Sequence, residues 1–162
     1  MNKGFTLIEV VVAIGVFAVL AIVGTVLLFS ILRGSKKAAA VASVRTEGAQ
    51  VMAALTAHLR FARQVDACTG SQISFTTVDN TSLTFSCATA GSPPNTYLAS
   101  NSARLTSEAV SLTGCAAVFS CVPAAPLTQT VNIKFSLTRS GAMVAESTAS
   151  VDFQSEVGLR NR

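Results

Sequence analysis

Few residues in this sequence are placed to do chemistry, and the first is a carboxylate where a carboxylate is costly. Glu9 is the sole charged residue between Phe5 and Leu32. An ionised carboxylate costs roughly 2.5–3.5 kcal/mol at a bilayer midplane, and less near the interface. That cost calls for a partner for the charge; the alternative is that Glu9 snorkels to the headgroups from the end of its helix. The second group is Cys68, Cys87, Cys115 and Cys121, all beyond the apolar segment. An even set of cysteines there points to an oxidising compartment and two disulfides. Three pairings are open to four cysteines. Chain proximity favours Cys115–Cys121, which leaves Cys68–Cys87.

Other chemistries find little support. The sole histidine, His58, falls in a helical pattern, which leaves a Ser-His-Asp arrangement without a suitable base. There is no C-x-x-C pair to argue for zinc. Asp79, Glu108, Glu146, Asp152 and Glu156 are too dispersed for a calcium loop, and no glycine-rich phosphate loop occurs. The expectation is a protein that is not an enzyme and holds no cofactor and no metal.

The elements that must position these residues follow from the hydrophobic pattern. Residues 10–32 contain neither charge nor proline and are long enough to cross a bilayer with some tilt. The Ala-x-Ala pattern at 38–40 resembles a signal-peptidase site, but the apolar run is about twice a normal h-region and carries an early Glu. Beyond Gly34, Val41, Val44, Val51, Met52, Leu55, Leu59 and Ala62 recur at helical spacing, with Arg45, Glu47, His58, Arg60 and Arg63 largely on other faces. One helix is therefore expected from Phe5 to about Val65, with a possible bend at Gly34. Its first half is apolar all round and its second half amphipathic.

The amphipathic stripe needs a partner, and the rest of the chain reads as sheet. Residues 73–78 and 82–87 alternate around a turn at Asp79-Asn80. Residues 91–95 form a loop, and 108–112 read as a short strand. Residues 131–137 alternate cleanly, Ser140-Gly141 turns the chain, and 143–153 return. About four or five antiparallel strands would pack on the helix, an α+β fold. The chain has 162 residues, enough for one modest domain on a helical stalk. The expected divisions are 1–4, 5–32, 33–66 and 67–162.

Lys and Arg outnumber Asp and Glu by 12 to 8, but the excess is local. Arg33, Lys36, Lys37, Arg45, Arg60 and Arg63 face only Glu47. Basic residues just past an apolar span read most simply as a patch near lipid headgroups. Nucleic-acid binding is the sharper reading and is ranked below it, on the expectation that no aromatic residues interleave with these charges.

At Gly4-Phe5-Thr6-Leu7-Ile8-Glu9-Val10 the chain resembles the type IV pilins and pseudopilins, subunits of type IV pili, type II secretion systems and related filaments. The motif is specific and occupies the first 30 or so residues. The resemblance implies that residues 1–4 are a leader, cut between Gly4 and Phe5 by an aspartic-type prepilin peptidase, and that the new amine on Phe5 is methylated. It further implies that Glu9 neutralises the N-terminal amine of an adjacent subunit. Such a pair would offset much of the cost of burying the carboxylate. The implied partners are that peptidase, an inner-membrane assembly platform, membrane lipid before assembly, and other pilin subunits in a helical filament. The implied location is the cytoplasmic membrane, leader inside and sheet region outside, then the filament.

Within the family, the apolar helix carries no proline, unlike that of many major pilins. The tail 155–162 is similar to the ending of J-type pseudopilins and the corresponding minor pilins, which implies a tip or priming position. Arg33, Lys36 and Lys37 run against this topology, since a bare positive-inside count would leave the C-terminus in the cytoplasm. The cysteines side with the resemblance. Two other functions remain open: a pilus-tip module that binds DNA or a surface, and a single-pass anchored extracytoplasmic protein unrelated to filaments.

Overall fold

Helix α1 runs from Leu7 to Arg60 without interruption, continuous through Gly34. The computed structural model describes residues 6–92, 94–140 and 148–159. Every described residue before Ala40 is exposed, including the large apolar side chains from Leu7 to Leu32. Burial then begins as a single stripe, Ala40, Val44, Gly48, Val51, Leu55 and Leu59, at steps of three and four. The stripe follows the expected apolar positions, with Val41 and Met52 at its margins. Ala40 and Gly48 join it because small residues let the sheet approach.

The helix stops at Arg60, short of the expected end near Val65. Phe61 caps it, donating its N–H to the His58 carbonyl at 3.2 Å. Residues Ala62–Cys68 form strand β1 instead. The helical reading of this stretch has a physical source. Register shifts interrupt β1 between Ala62 and Gln64 and again between Val65 and Ala67. Each extra residue lengthens the strand repeat from two to three. Ala62 and Val65 are both buried at helical spacing although they lie on a strand.

The strands number nine among the described residues, in two antiparallel sheets, rather than four or five in one. The first sheet is a meander of β1, β2 (Gln72–Thr77), β3 (Ser82–Ala90), β4 (Asn95–Ser100) and β5 (Ala103–Arg104). The β2–β3 hairpin lies where alternation placed it, with Asn80 at φ 58° in the turn. In the second sheet, β8 (Thr130–Arg139) pairs along one side with β9 (Ser150–Gly158). Its other side is shared by β6 (Val110–Thr113) and β7 (Phe119–Val122). The return strand is thus later than the expected 143–153. Residues 141–147, including the expected turn at Gly141, lie outside the described residues.

Helix and sheets share one core. Gly48 of α1 meets the Phe153 ring of β9, which stacks on Phe135 of β8 at 5.3 Å between centroids. At the far end of the helix, His58 packs against Phe85 of β3 at 5.9 Å. Polar contacts pin the segment after β5. The Glu47 carboxylate on α1 accepts hydrogen bonds from the Ser107 backbone N–H and hydroxyl. Arg104 lies over the Tyr97 ring and donates to Asn95 Oδ1 at 2.8 Å and to the Thr106 and Ser107 carbonyls.

One disulfide ties the first sheet to the second, and the other ties the first sheet to the turn that leads into β7 of the second. Cys68 of β1 bonds Cys121 of β7, and Cys87 of β3 bonds Cys115 in the 3-10 turn Cys115–Ala117. The pairing favoured by chain proximity is therefore replaced by a cross-sheet one. Geometry gives the reason: β2 separates β1 from β3. Two strand spacings come to roughly 9.6 Å, beyond disulfide reach. Between the two bridges, Gly70 approaches the turn so closely that a Cβ would lie 1.9 Å from the Ala116 carbonyl oxygen. The Gly70 carbonyl accepts from Val118 and Phe119 N–H there, at 2.7 and 3.1 Å.

Candidate functional site

The candidate site is the start of α1 and the bare helical rod that follows it. Thr6 is the N-cap, with extended backbone (φ −80°, ψ 150°) that turns the chain into the helix. Its hydroxyl accepts the Glu9 backbone N–H at 3.4 Å. In return Glu9 Oε2 accepts from the Thr6 N–H and from the Thr6 hydroxyl, both at 3.0 Å. This reciprocal capping box satisfies helix N–H groups that would otherwise have no partner. It also sets a negative charge against the positive end of the helix dipole.

Glu9 is therefore not a bare charge within a single chain. Both of its hydrogen bonds end on Oε2, and Oε1 accepts none among the described residues. A carboxylate accepts about four hydrogen bonds, so the cap leaves capacity for a further donor. Thr6 is the residue that sequence reasoning passed over. The signal was present: Thr-x-x-Glu at the head of an apolar run is the capping-box spacing. Gly4 and Phe5, the expected cleavage pair, lie outside the described residues.

Past this cap, α1 is the one described helix long and apolar enough to cross a membrane. Residues 7–32 would extend roughly 39 Å at 1.5 Å per residue, more than a hydrocarbon core of about 30 Å. No part of either sheet covers them. A contiguous apolar surface of this length must be covered by lipid or by other protein. Arg33, Lys36 and Lys37 are exposed just beyond it.

The four cysteines stand apart from this segment, in the sheet region, and act as cross-links. Of the remaining basic residues, Arg60 ends α1 and Arg63 lies at the start of β1, one on each side of the junction. Arg63 donates to Asn80 Oδ1 at 3.2 Å. Phe61 lies between them in sequence and is 65% exposed, which corrects the expectation that no aromatic interleaves with the basic residues. Among the described residues, no three His, Cys, Asp or Glu side chains gather in a metal-binding group.

Comparison with known proteins bears on this same segment. Residues 1–25 match the family described as the prokaryotic N-terminal methylation motif. No curated protein and no solved structure matches the chain. The motif supports a type IV pilin-like or pseudopilin precursor, a structural family rather than an enzymatic one. It implies processing by a prepilin peptidase and assembly with other pilins. The match and the uncovered helix are consistent with membrane anchoring followed by incorporation in a filament.

Proposed function

We propose that this chain is a minor pilin or pseudopilin, a structural subunit stored in the membrane and drawn into a helical filament near its tip or as its primer. One observation carries the reading: the methylation motif runs directly into a helix half that its own domain leaves wholly uncovered. Cleavage between Gly4 and Phe5 would create an amine one turn before Glu9, and Phe5 would be methylated. Within the membrane Glu9 rests in the Thr6 cap, and in the filament its open oxygen receives the amine of an adjacent subunit. The apolar residues 7–32 then exchange lipid for neighbouring helices.

In this reading the leader faces the cytoplasm and the cross-linked sheets lie outside, where disulfides persist. Arg33, Lys36 and Lys37 meet headgroups at the outer surface. The absence of proline from α1 and the long β8–β9 pair before the tail support a minor position. Residues 1–4, 5–32, 33–60 and 61–162 serve as leader, filament core, domain-bound helix and surface domain.

Replacing Glu9 with Ala tests this directly. Incorporation into sheared filaments should fall strongly, while membrane insertion is unchanged. Wild-type incorporation of the variant would sink the charge pairing.

A second reading has one observation in its favour. Exposed Phe61 between Arg60 and Arg63 offers a stacking face with two cations, the elements of a single-stranded nucleic-acid contact. DNA binding by the full chain in micelles should then weaken steeply with salt and on replacing Arg60 and Arg63. No binding at low salt would dismiss this reading.

A further inference from the structure

The sheet edges of this protein are unequal, and the inequality points to a binding function. At the outer edge of the first sheet, β1 is broken by two register shifts, while β5 at the opposite edge is only 2 residues long. In the second sheet, β6 and β7 share one edge with 4 residues each. Bulges and short strands are the usual means of blunting an edge against unwanted pairing. β9 has neither. Its 9 residues run in unbroken register with β8, from Thr130 opposite Gly158 to Thr138 opposite Ser150.

Among the described residues β9 pairs with no other strand. Alternate residues of an antiparallel strand direct both N–H and C=O to the same side. Roughly half of the β9 backbone groups therefore point away from β8 with no strand to meet them. Proline and lysine, which would discourage pairing, are absent from it.

The side chains define what would fit. Val151 and Phe153 lie half-buried towards α1, while Asp152, Gln154 and Glu156 are exposed on the opposite face. Asp152 accepts a hydrogen bond from the Ser136 hydroxyl. Lys134 stands opposite Gln154 and is the one cation that β8 sets beside the two carboxylates. The edge therefore carries an acidic excess. A second copy of β9, antiparallel about Gln154, would set Asp152 against Glu156 twice. Like charges directly opposite are destabilising, so a second copy is disfavoured in this centred register.

We propose that β9 is a strand-addition site for an extended segment of a different polypeptide. That segment carries basic side chains beside Asp152 and Glu156 and apolar ones beside Val151 and Phe153. Main-chain bonds supply the affinity and the alternating side chains the specificity. The inference stands on the sheet alone and does not depend on how the N-terminus is processed.

A labelled nine-residue peptide alternating lysine and valine is the probe, added to the full chain in detergent micelles at low ionic strength. It should bind by anisotropy and slow amide exchange within β9. The same peptide N-methylated at every residue keeps its charge but has no backbone N–H to donate on either edge, and should not bind. Replacing Asp152 with Asn and Glu156 with Gln together should weaken binding about threefold to tenfold, the effect of two cross-strand charge pairs. Equal binding of the N-methylated peptide would overturn the proposal, because charge alone would then explain it. So would protection confined to β1, or no binding at all.

Discussion

Replacing Gly48 with Ala should destabilise the protein, although alanine is the better helix former. An added Cβ would lie 2.1 Å from Phe153 Cζ and 2.2 Å from Cε2. Ordinary carbon contacts are about 3.5–4.0 Å, so the ring would have to retreat by more than an ångström. Its freedom to move is limited by Phe135, which stacks on it with an interplanar angle of 25° and is itself buried. Overpacking of this kind costs about 1–3 kcal/mol. Exchanging glycine for alanine inside a helix returns about 1 kcal/mol. The net expectation is a loss of about 1 kcal/mol. Replacing Phe153 with Ala removes the obstacle, and Gly48→Ala on that background should stabilise by about 1 kcal/mol. The sign therefore reverses, a coupling of about 2 kcal/mol between contacting sites. Urea unfolding of the full chain and the three variants in micelles measures it. Stabilisation by Gly48→Ala in both backgrounds would refute the close packing of α1 on β9.

Three further outcomes follow from the same geometry. Thr6→Val removes the hydroxyl that caps α1, at about 1 kcal/mol; amide exchange at Glu9 should quicken by about fivefold, and an unchanged rate would argue against the capping box. Gly70→Ala places a Cβ 1.9 Å from a backbone oxygen that cannot swing aside, so the turn at Cys115–Ala117 should lose its seat. Titration with a thiol reagent should then find free Cys87 and Cys115, and a fully oxidised variant would contradict this. Cys68 and Cys121 are 53 residues apart in sequence, and Cys87 and Cys115 are 28. Replacing either pair with serine should cost about 3–4 kcal/mol on loop entropy, read from the urea midpoint.

What the sequence made legible was its local periodicity. Val44, Val51, Leu55 and Leu59 announced the buried face of α1, and strict alternation announced β2, β3 and β8. What stayed hidden depended on contacts between distant segments. Ala62 and Val65 imitate a helix because two bulges stretch β1 to a three-residue repeat. The disulfide pairing follows from the packing of one sheet on another, which chain proximity does not encode. Gly48 and Gly70 matter for what approaches them, Phe153 and Ala116, and nothing in their neighbours reveals it. In the candidate site, Glu9 was legible because its cost in an apolar run is local. Thr6 was equally legible from its spacing to Glu9. Phe61 was visible between two arginines, but its exposure required the end of the helix to be placed.

The central claim is that Glu9 awaits an amine that processing creates. The mass and sequence of the mature N-terminus test it most directly. The account predicts a chain beginning at Phe5 and carrying one methyl group on its amine. A mature chain that retains residues 1–4, one cut near Ala40, or an unmethylated Phe5 would contradict it.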